Sequence, residues 1–370
     1  MSGAGADPEL LACFSPDYAT ARFRFRAASG AAGATLEAHP IEARGPHGSD
    51  LTIDVARLGP ATAPRLLIVS SGLHGVEGFF GSAVQLAWLG RGGRGDSGAD
   101  VAVLVLHGLD PFGFAWLRRF DEGNVDLNRN FLLPGEDFSG SPARYGELDR
   151  LINPRHGPRP FGSTAFLARA GLAILRHGFA SLKAALARGQ YEYPFGLFFG
   201  GHGPAPARRI IETNLARWVG EAGTVMHIDF HTGLGRRGRY SLLFEPGQEP
   251  VHLARLEAAF GPGRVEANDS RGTAYPTRGD LGIWCRAELR DRAYQYLCAE
   301  FGTYPALRVL AALRAENQAH HWLPPGHPGR ERAKQDLREA FVPADPNWRS
   351  ASVAQALAVL DQALAVVTGN

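Results

Sequence analysis

His74 and Glu77 stand three residues apart within LIVSSGLHGVEGFF, positions 67–80. An imidazole and a carboxylate at that spacing in a tight turn can converge on one cation, and a nitrogen-plus-oxygen donor pair suits zinc. Two donors do not make a site. The pattern H-x-x-E is weak in a chain with 13 His, where a surface imidazole beside a capping Glu gives the same spacing. A third donor comes from positions 224–231, TVMHIDFH. As a strand this stretch puts Met226, Ile228 and Phe230 on one face and His227, Asp229 and His231 on the other. His231 directly precedes Thr-Gly-Leu-Gly, so it stands at a strand end where it can meet His74 and Glu77.

The elements that must position these residues read as α/β. The apolar run at 66–69 followed by Ser-Ser-Gly marks a buried strand reaching its C-terminal edge. Phe79, Phe80, Val84, Leu86, Ala87 and Leu89 then recur at helical spacing, and 101–107 is a second buried strand. Strand, helix, strand implies a parallel pair with a right-handed crossover. In an open α/β sheet, ligands bind at the C-terminal strand edge, where His74 and Glu77 lie. Further strands are predicted at 240–244 and 294–301, and helices at 163–188, 208–222, 305–317 and 353–367. Residues 1–60 are Ala/Gly-rich with strand patterns at 21–25 and 51–55, consistent with an edge hairpin or cover. The polar loop 112–136 holds Arg118-Arg119 and Asp126-Leu127-Asn128-Arg129-Asn130, and long polar loops beside sheet edges usually carry function. The aromatic, Gly-rich stretch 191–203 reads as a pocket wall, and the Pro, Arg and Asp-rich 320–346 as a surface excursion. With neither repeats nor a clear linker, residues 1–370 are expected to form a single α/β domain, a mixed, largely parallel central sheet flanked by helices.

Composition excludes several classes. With 45% hydrophobic and 21% charged residues over 370 positions, the chain has ample material for a globular core. A formal net charge of +2 with intermixed signs gives no reason to expect nucleic acid or an anionic membrane as partner. Cys13, Cys285 and Cys298 are odd in number and unclustered, against both a disulfide framework and a cysteine zinc site. No basic-then-apolar leader and no run of about 18 apolar residues occurs. The expectation is a cytoplasmic protein.

Taken in order, His74-Gly-Val-Glu77, Val125-Asp-Leu-Asn-Arg-Asn-Phe131, Asp229-Phe-His231 and Cys298-Ala-Glu300-Phe301 resemble the motif set of the zinc carboxypeptidase superfamily. The similarity is to its largely uncharacterised bacterial branch rather than to the secreted digestive enzymes. V-D-L-N-R-N-F is the specific element, and the matching region is about 65–305, leaving 1–60 and 306–370 outside. The resemblance implies a carboxypeptidase A-like fold, with one Zn2+ per chain held by His74, Glu77 and His231 and a fourth position open to water. It implies Glu300 as the general base and Asp126 as the acid that hydrogen-bonds a zinc-ligand His and fixes its tautomer. Asn128 and Arg129 match the pair that grips a substrate's free carboxylate. Arg119 matches the arginine that polarises the scissile carbonyl, with Arg118 as the alternative. Tyr275, in the segment running to Trp284, resembles the tyrosine of the family's substrate-capping loop. The sequence departs from the pattern there: Ile283 replaces the acid that commonly precedes the Trp, and Pro276 follows the Tyr.

The resemblance therefore implies a zinc-dependent hydrolase cleaving an amide bond next to a free carboxylate, a metallocarboxypeptidase on small peptides or peptide-like substrates. An N-acyl-amino-acid deacylase of the aspartoacylase and succinylglutamate desuccinylase kind shares H-x-x-E, D-L-N-R and the later His. A catalytically silent metal-binding interaction protein is the reading from another class.

Overall fold

Eight strands form one sheet in the computed structural model, which describes residues 5–93, 98–159, 162–244, 250–267 and 277–369. They are β1 (Thr35–Arg44), β2 (Asp50–Leu58), β3 (Arg65–Ser71), β4 (Val101–His107), β5 (Thr224–Thr232), β6 (Tyr240–Phe244), β7 (Val265–Ala267) and β8 (Ala293–Phe301). Their order is β1-β2-β4-β3-β5-β8-β6-β7. The central strands β4, β3, β5 and β8 run parallel, while β2 and β6 join them antiparallel.

Parallel strands must be covered on both faces, and the central sequences meet that demand with continuous apolar runs. In β3, Leu67 and Val69 enter one core and Leu66 and Ile68 the other. The helix Gly78–Gly90 is buried almost all round, because it packs on the sheet and is covered in turn by the helices Tyr18–Ala31 and Pro346–Thr368. On the opposite face the helices Pro206–Val219 and Leu281–Glu288 contribute Ile211, Leu215, Trp218 and Trp284. From β3 the chain passes to β4 on one side, while β5 lies on the other. That reversal leaves a crevice beyond the carboxyl ends of β3 and β5, the place where open α/β sheets bind ligands.

Three sequence expectations are corrected. Positions 21–25 are not a strand but part of the helix Tyr18–Ala31. The alternation R-F-R-F-R suggests period two, yet Tyr18, Ala21 and Phe25 form the buried stripe, Phe23 is 73% exposed, and Asp17 caps the helix through Thr20 N at 2.8 Å. Segment 320–346 is not a surface excursion. It contains the helix Pro328–Phe341, whose Ala333, Leu337, Ala340 and Phe341 make a buried stripe hidden among charged residues. The helical pattern at 163–188 is broken at Gly178, whose φ of 78° ends Gly162–His177 before Phe179–Ala187 begins. Among the described residues, only Pro346–Thr368 is long and apolar enough to cross a membrane, and it spends that apolarity on the core through Trp348, Val353, Leu357 and Leu360.

Candidate metal centre

After β3 the chain turns at Gly72, passes His74 and makes a short 3-10 turn, Gly75–Glu77, before the helix Gly78–Gly90. Gly75 is required there: a Cβ would stand 2.1 Å from the Gly113 carbonyl carbon. Gly75 N–H donates to Arg119 O (3.2 Å) and Val76 N–H to Arg118 O (2.7 Å). The turn is thereby tied to the segment that carries the arginines. In β5 the register pairs His231 with Glu300 of β8. Ligand candidate and base candidate thus sit side by side on parallel strands.

His74, Glu77 and His231 converge. His74 Nδ1 lies 3.0 Å from Glu77 Oε1, His231 Nδ1 3.2 Å from Glu77 Oε2, and the two Nδ1 atoms are 3.2 Å apart. Each ring nitrogen on the far side meets a buried carboxylate. His231 Nε2 is 2.7 Å from Asp229 Oδ2, and His74 Nε2 is 3.1 Å from Asp126 Oδ1. Arg119 Nη2 also lies 2.7 Å from His74 Nε2 and, being donor-only, donates to it. The Asp126 carboxylate is ionised. Burial pushes its pKa up, but Arg119, Arg129 and His74 hold it well below the usual range. His74 Nδ1, His231 Nδ1 and the two Glu77 carboxylate oxygens thus face one another at 3.0–3.2 Å. Three electron-pair donors at such distances want a positive charge between them. The field agrees: burial pushes His231 down, yet Asp229 and Glu77 hold it well above the ordinary imidazole range. The donor set therefore fits a divalent cation of zinc type, with nitrogen, nitrogen and carboxylate ligands and carboxylates behind both imidazoles.

Around this cluster the cavity is lined by Arg119, Asn128, Arg129, Phe198, Cys298, Glu300 and Phe341 among others. Glu300 Oε1 accepts the Leu234 N–H at 2.8 Å. Burial and the neighbouring Glu77 push its pKa up to about 7. Arg119 donates to Glu77 Oε1 (3.0 Å) and Asp126 Oδ2 (3.1 Å) and lies against Phe198. Arg118 points elsewhere, fully buried against Glu316, Asn317 and Asn124 at 2.9–3.0 Å, so of the two arginines Arg119 alone lines the cavity. Asn128 Oδ1 accepts the Leu281 N–H at 3.0 Å. Arg129 is 1% exposed; its Nη1 donates to Asn128 O at 2.6 Å and Phe198 lies against its guanidinium. Tyr275 lies outside the described residues.

Sequence reading gave Asp229 no role, placed Phe198 only within a stretch read as a pocket wall, and missed Phe341. Asp229 sits two residues before His231 on the same strand face, and that period was the available signal. It accepts from Ser70 Oγ (2.6 Å) and Tyr296 OH (3.0 Å) as well. Phe198 comes from the aromatic stretch 191–203 that reads as a pocket wall, whose members look alike. Phe341 comes from a segment remote in sequence, and for it no local signal exists.

The fold is carboxypeptidase-like, that of an α/β protein with a mixed eight-stranded sheet flanked by helices. Bovine thrombin-activatable fibrinolysis inhibitor, solved in complex with tick carboxypeptidase inhibitor, has a similar fold at TM-score 0.51 and 11% identity, over 96% of this chain and 97% of that one. A second structure of thrombin-activatable fibrinolysis inhibitor gives TM-score 0.51 and 12% identity over 98% and 78%. Carboxypeptidase A from Helicoverpa armigera gives 0.46 and 12% over 93% and 73%. A search of curated proteins finds no match. The chain belongs to the family described as protein of unknown function DUF2817, which matches residues 14–355 and so takes in segments outside the recognisable motifs.

Proposed function

We propose that the protein is a metal-dependent hydrolase that cleaves an amide bond beside a free carboxylate, acting as a metallocarboxypeptidase on small peptides or peptide-like substrates. The observation that carries this reading is the convergence of His74 Nδ1, Glu77 and His231 Nδ1 with Glu300 in register beside them. A cation held by those three residues would supply Lewis acidity toward a carbonyl oxygen and acidify a water. Glu300, ionised, would take a proton from the water that attacks the carbonyl carbon and return it to the amine nitrogen as the C–N bond breaks. Because Oε1 is held by Leu234 N–H, Oε2 is the oxygen available for the proton. Arg119 donates to the carbonyl oxygen as charge develops on it. The Arg129 fork and the Asn128 amide nitrogen hold the substrate's terminal carboxylate. Phe198 and Phe341 exclude water from this side of the cavity, which strengthens each of these electrostatic contacts.

The test compares kcat/KM for matched free-acid and C-terminally amidated peptides in wild type and Arg129→Ala. The free-acid substrate should lose about 3 kcal/mol of transition-state stabilisation, comparable to breaking a buried charge pair, and the amide far less. Arg129→Lys should rescue poorly, since it offers a point charge in place of a fork. Equal losses on both substrates would mean that Arg129 holds the loop, and the end-specific reading would give way to a general amidase.

A further inference from the structure

Beyond Glu300 lies a second cleft, lined by Arg236, Arg239 and Arg264 with Tyr240, Ser241 and Glu266; Glu300 borders both this cleft and the metal-site cavity. Arg236 and Arg239 sit on the loop between β5 and β6, and that loop is fastened to the end of β8. Gly233 N–H donates to Phe301 O (3.0 Å), Gly238 N–H to Gly302 O (3.2 Å) and Gly302 N–H to Arg239 O (2.9 Å). A Cβ on Gly302 would stand 2.2 Å from Arg236 O, so glycine lets the loop lie against the strand directly after Glu300. Arg264 approaches from the start of β7, its guanidinium 4.7 Å from the centroid of the Tyr240 ring. Next to them Arg237 is paired with Asp345 at 2.8 Å. Arg236 and Arg239 have no ion pair and no side-chain hydrogen bond among the described residues. The acids in the cleft are Glu300 and Glu266, and the latter already accepts from Ser241 Oγ at 2.6 Å.

Single surface arginines are ordinarily just solvated. Here three converge on one concavity, two of them without side-chain partners among the described residues, on a backbone fixed to the strand that carries Glu300. Three guanidinium groups outnumber the two carboxylates of the cleft, and guanidinium forks suit carboxylates and phosphates. We propose that this cleft is a subsite for an anionic group, carboxylate or phosphate, on the acyl side of the scissile amide. The placement rests on the function proposed above: Arg129 takes the terminal carboxylate on the amine side, Glu300 stands between, and the arginine cleft lies past it. The preferred substrate is then anionic on both sides of the bond.

The experiment uses zinc-loaded protein and three peptides with an N-methylated, cleavage-resistant scissile bond: acetyl-Glu-Leu, acetyl-phosphoserine-Leu and acetyl-Gln-Leu. Calorimetric Kd values should favour one or both acidic peptides by about tenfold over the Gln peptide, and the better of the two identifies carboxylate or phosphate as the natural group. The preference should fall toward unity in Arg236→Ser/Arg239→Ser and weaken with salt. The single substitution Arg239→Glu, at an exposed position, should reverse it. Equal Kd values for all three peptides in wild type, or a preference untouched by these substitutions, would overturn the proposal. The two readings fail separately. If unmethylated free-acid peptides are not cleaved while the Arg-dependent preference in Kd persists, the carboxypeptidase reading falls and the anion subsite stands.

Discussion

Glu300 has Glu77 as a neighbour of like charge and His231 and Arg119 as neighbours of opposite sign, and this sets its chemistry. Burial and Glu77 push it up to about 7, from an ordinary value of 4.5. A cation shared by Glu77 and the imidazoles reduces that repulsion, so in the loaded protein its pKa should fall between these limits. A general base must be ionised, so kcat/KM should drop as pH falls through that window. Glu300→Gln should retain metal, lose about a hundred- to ten-thousand-fold in turnover, and show no acid limb there. A near wild-type rate in Glu300→Gln would make Glu300 structural. At this scale the sequence was informative where motifs are local: His74 and Glu77 share one turn, and Asp126, Asn128 and Arg129 one loop. It could not separate Arg118 from Arg119, because the choice is made by Glu316 and Asn317 on a distant helix.

At the level of elements, the candidate metal centre depends on the turn between β3 and its helix. The Gly75 Cα faces backbone atoms of Gly113 and Phe114, which no side-chain rotation can relieve. Gly75→Ala should therefore destabilise the protein by about 2 kcal/mol or more and weaken metal binding, read by chemical denaturation and metal titration. Gly30→Ala is the control, since a Cβ there meets nothing within 4 Å and the residue is helical, so it should be neutral or slightly stabilising. Equal stability of the two variants would contradict the packing described for the turn. Strands β3, β4, β5 and β8 were legible because a buried parallel strand is a short apolar run between turn residues. The helix Pro328–Phe341 was not legible, because four apolar positions among Arg, Glu, Asp and Lys carry too little contrast until the groove they fill is known. The R-F-R-F-R stretch misled for the opposite reason, a strong local alternation overruled by tertiary burial of Tyr18, Ala21 and Phe25.

For the molecule as a whole, buried histidines couple folding to pH. His107 lies between Phe25, stacked at 4.5 Å, and Ser82 Oγ at 3.1 Å, and burial pushes its pKa down to about 4. In the unfolded chain it titrates near 6.5. The unfolded state therefore takes up the proton first. The contribution of neutral His107 is complete above about pH 6.5 and is lost as pH falls from there through 4, by about 3 kcal/mol in all. Denaturant midpoints of wild type should fall more steeply between pH 7 and 5 than those of His107→Gln, whereas parallel profiles would show that His107 does not sense folding. The sheet order, with its reversal between β3 and β5, brings residues more than 150 positions apart to one crevice, and that convergence was legible only as two strand ends, each carrying ligand-type residues, that could meet.

The central claim is that His74, Glu77 and His231 hold a single zinc, and elemental analysis of the purified chain tests it most directly. Wild type should carry about one zinc per chain, and His74→Ala and His231→Ala close to none, with folding checked by circular dichroism. Zinc content unchanged in both variants, or a wild-type chain that takes up no divalent metal on titration, would contradict it.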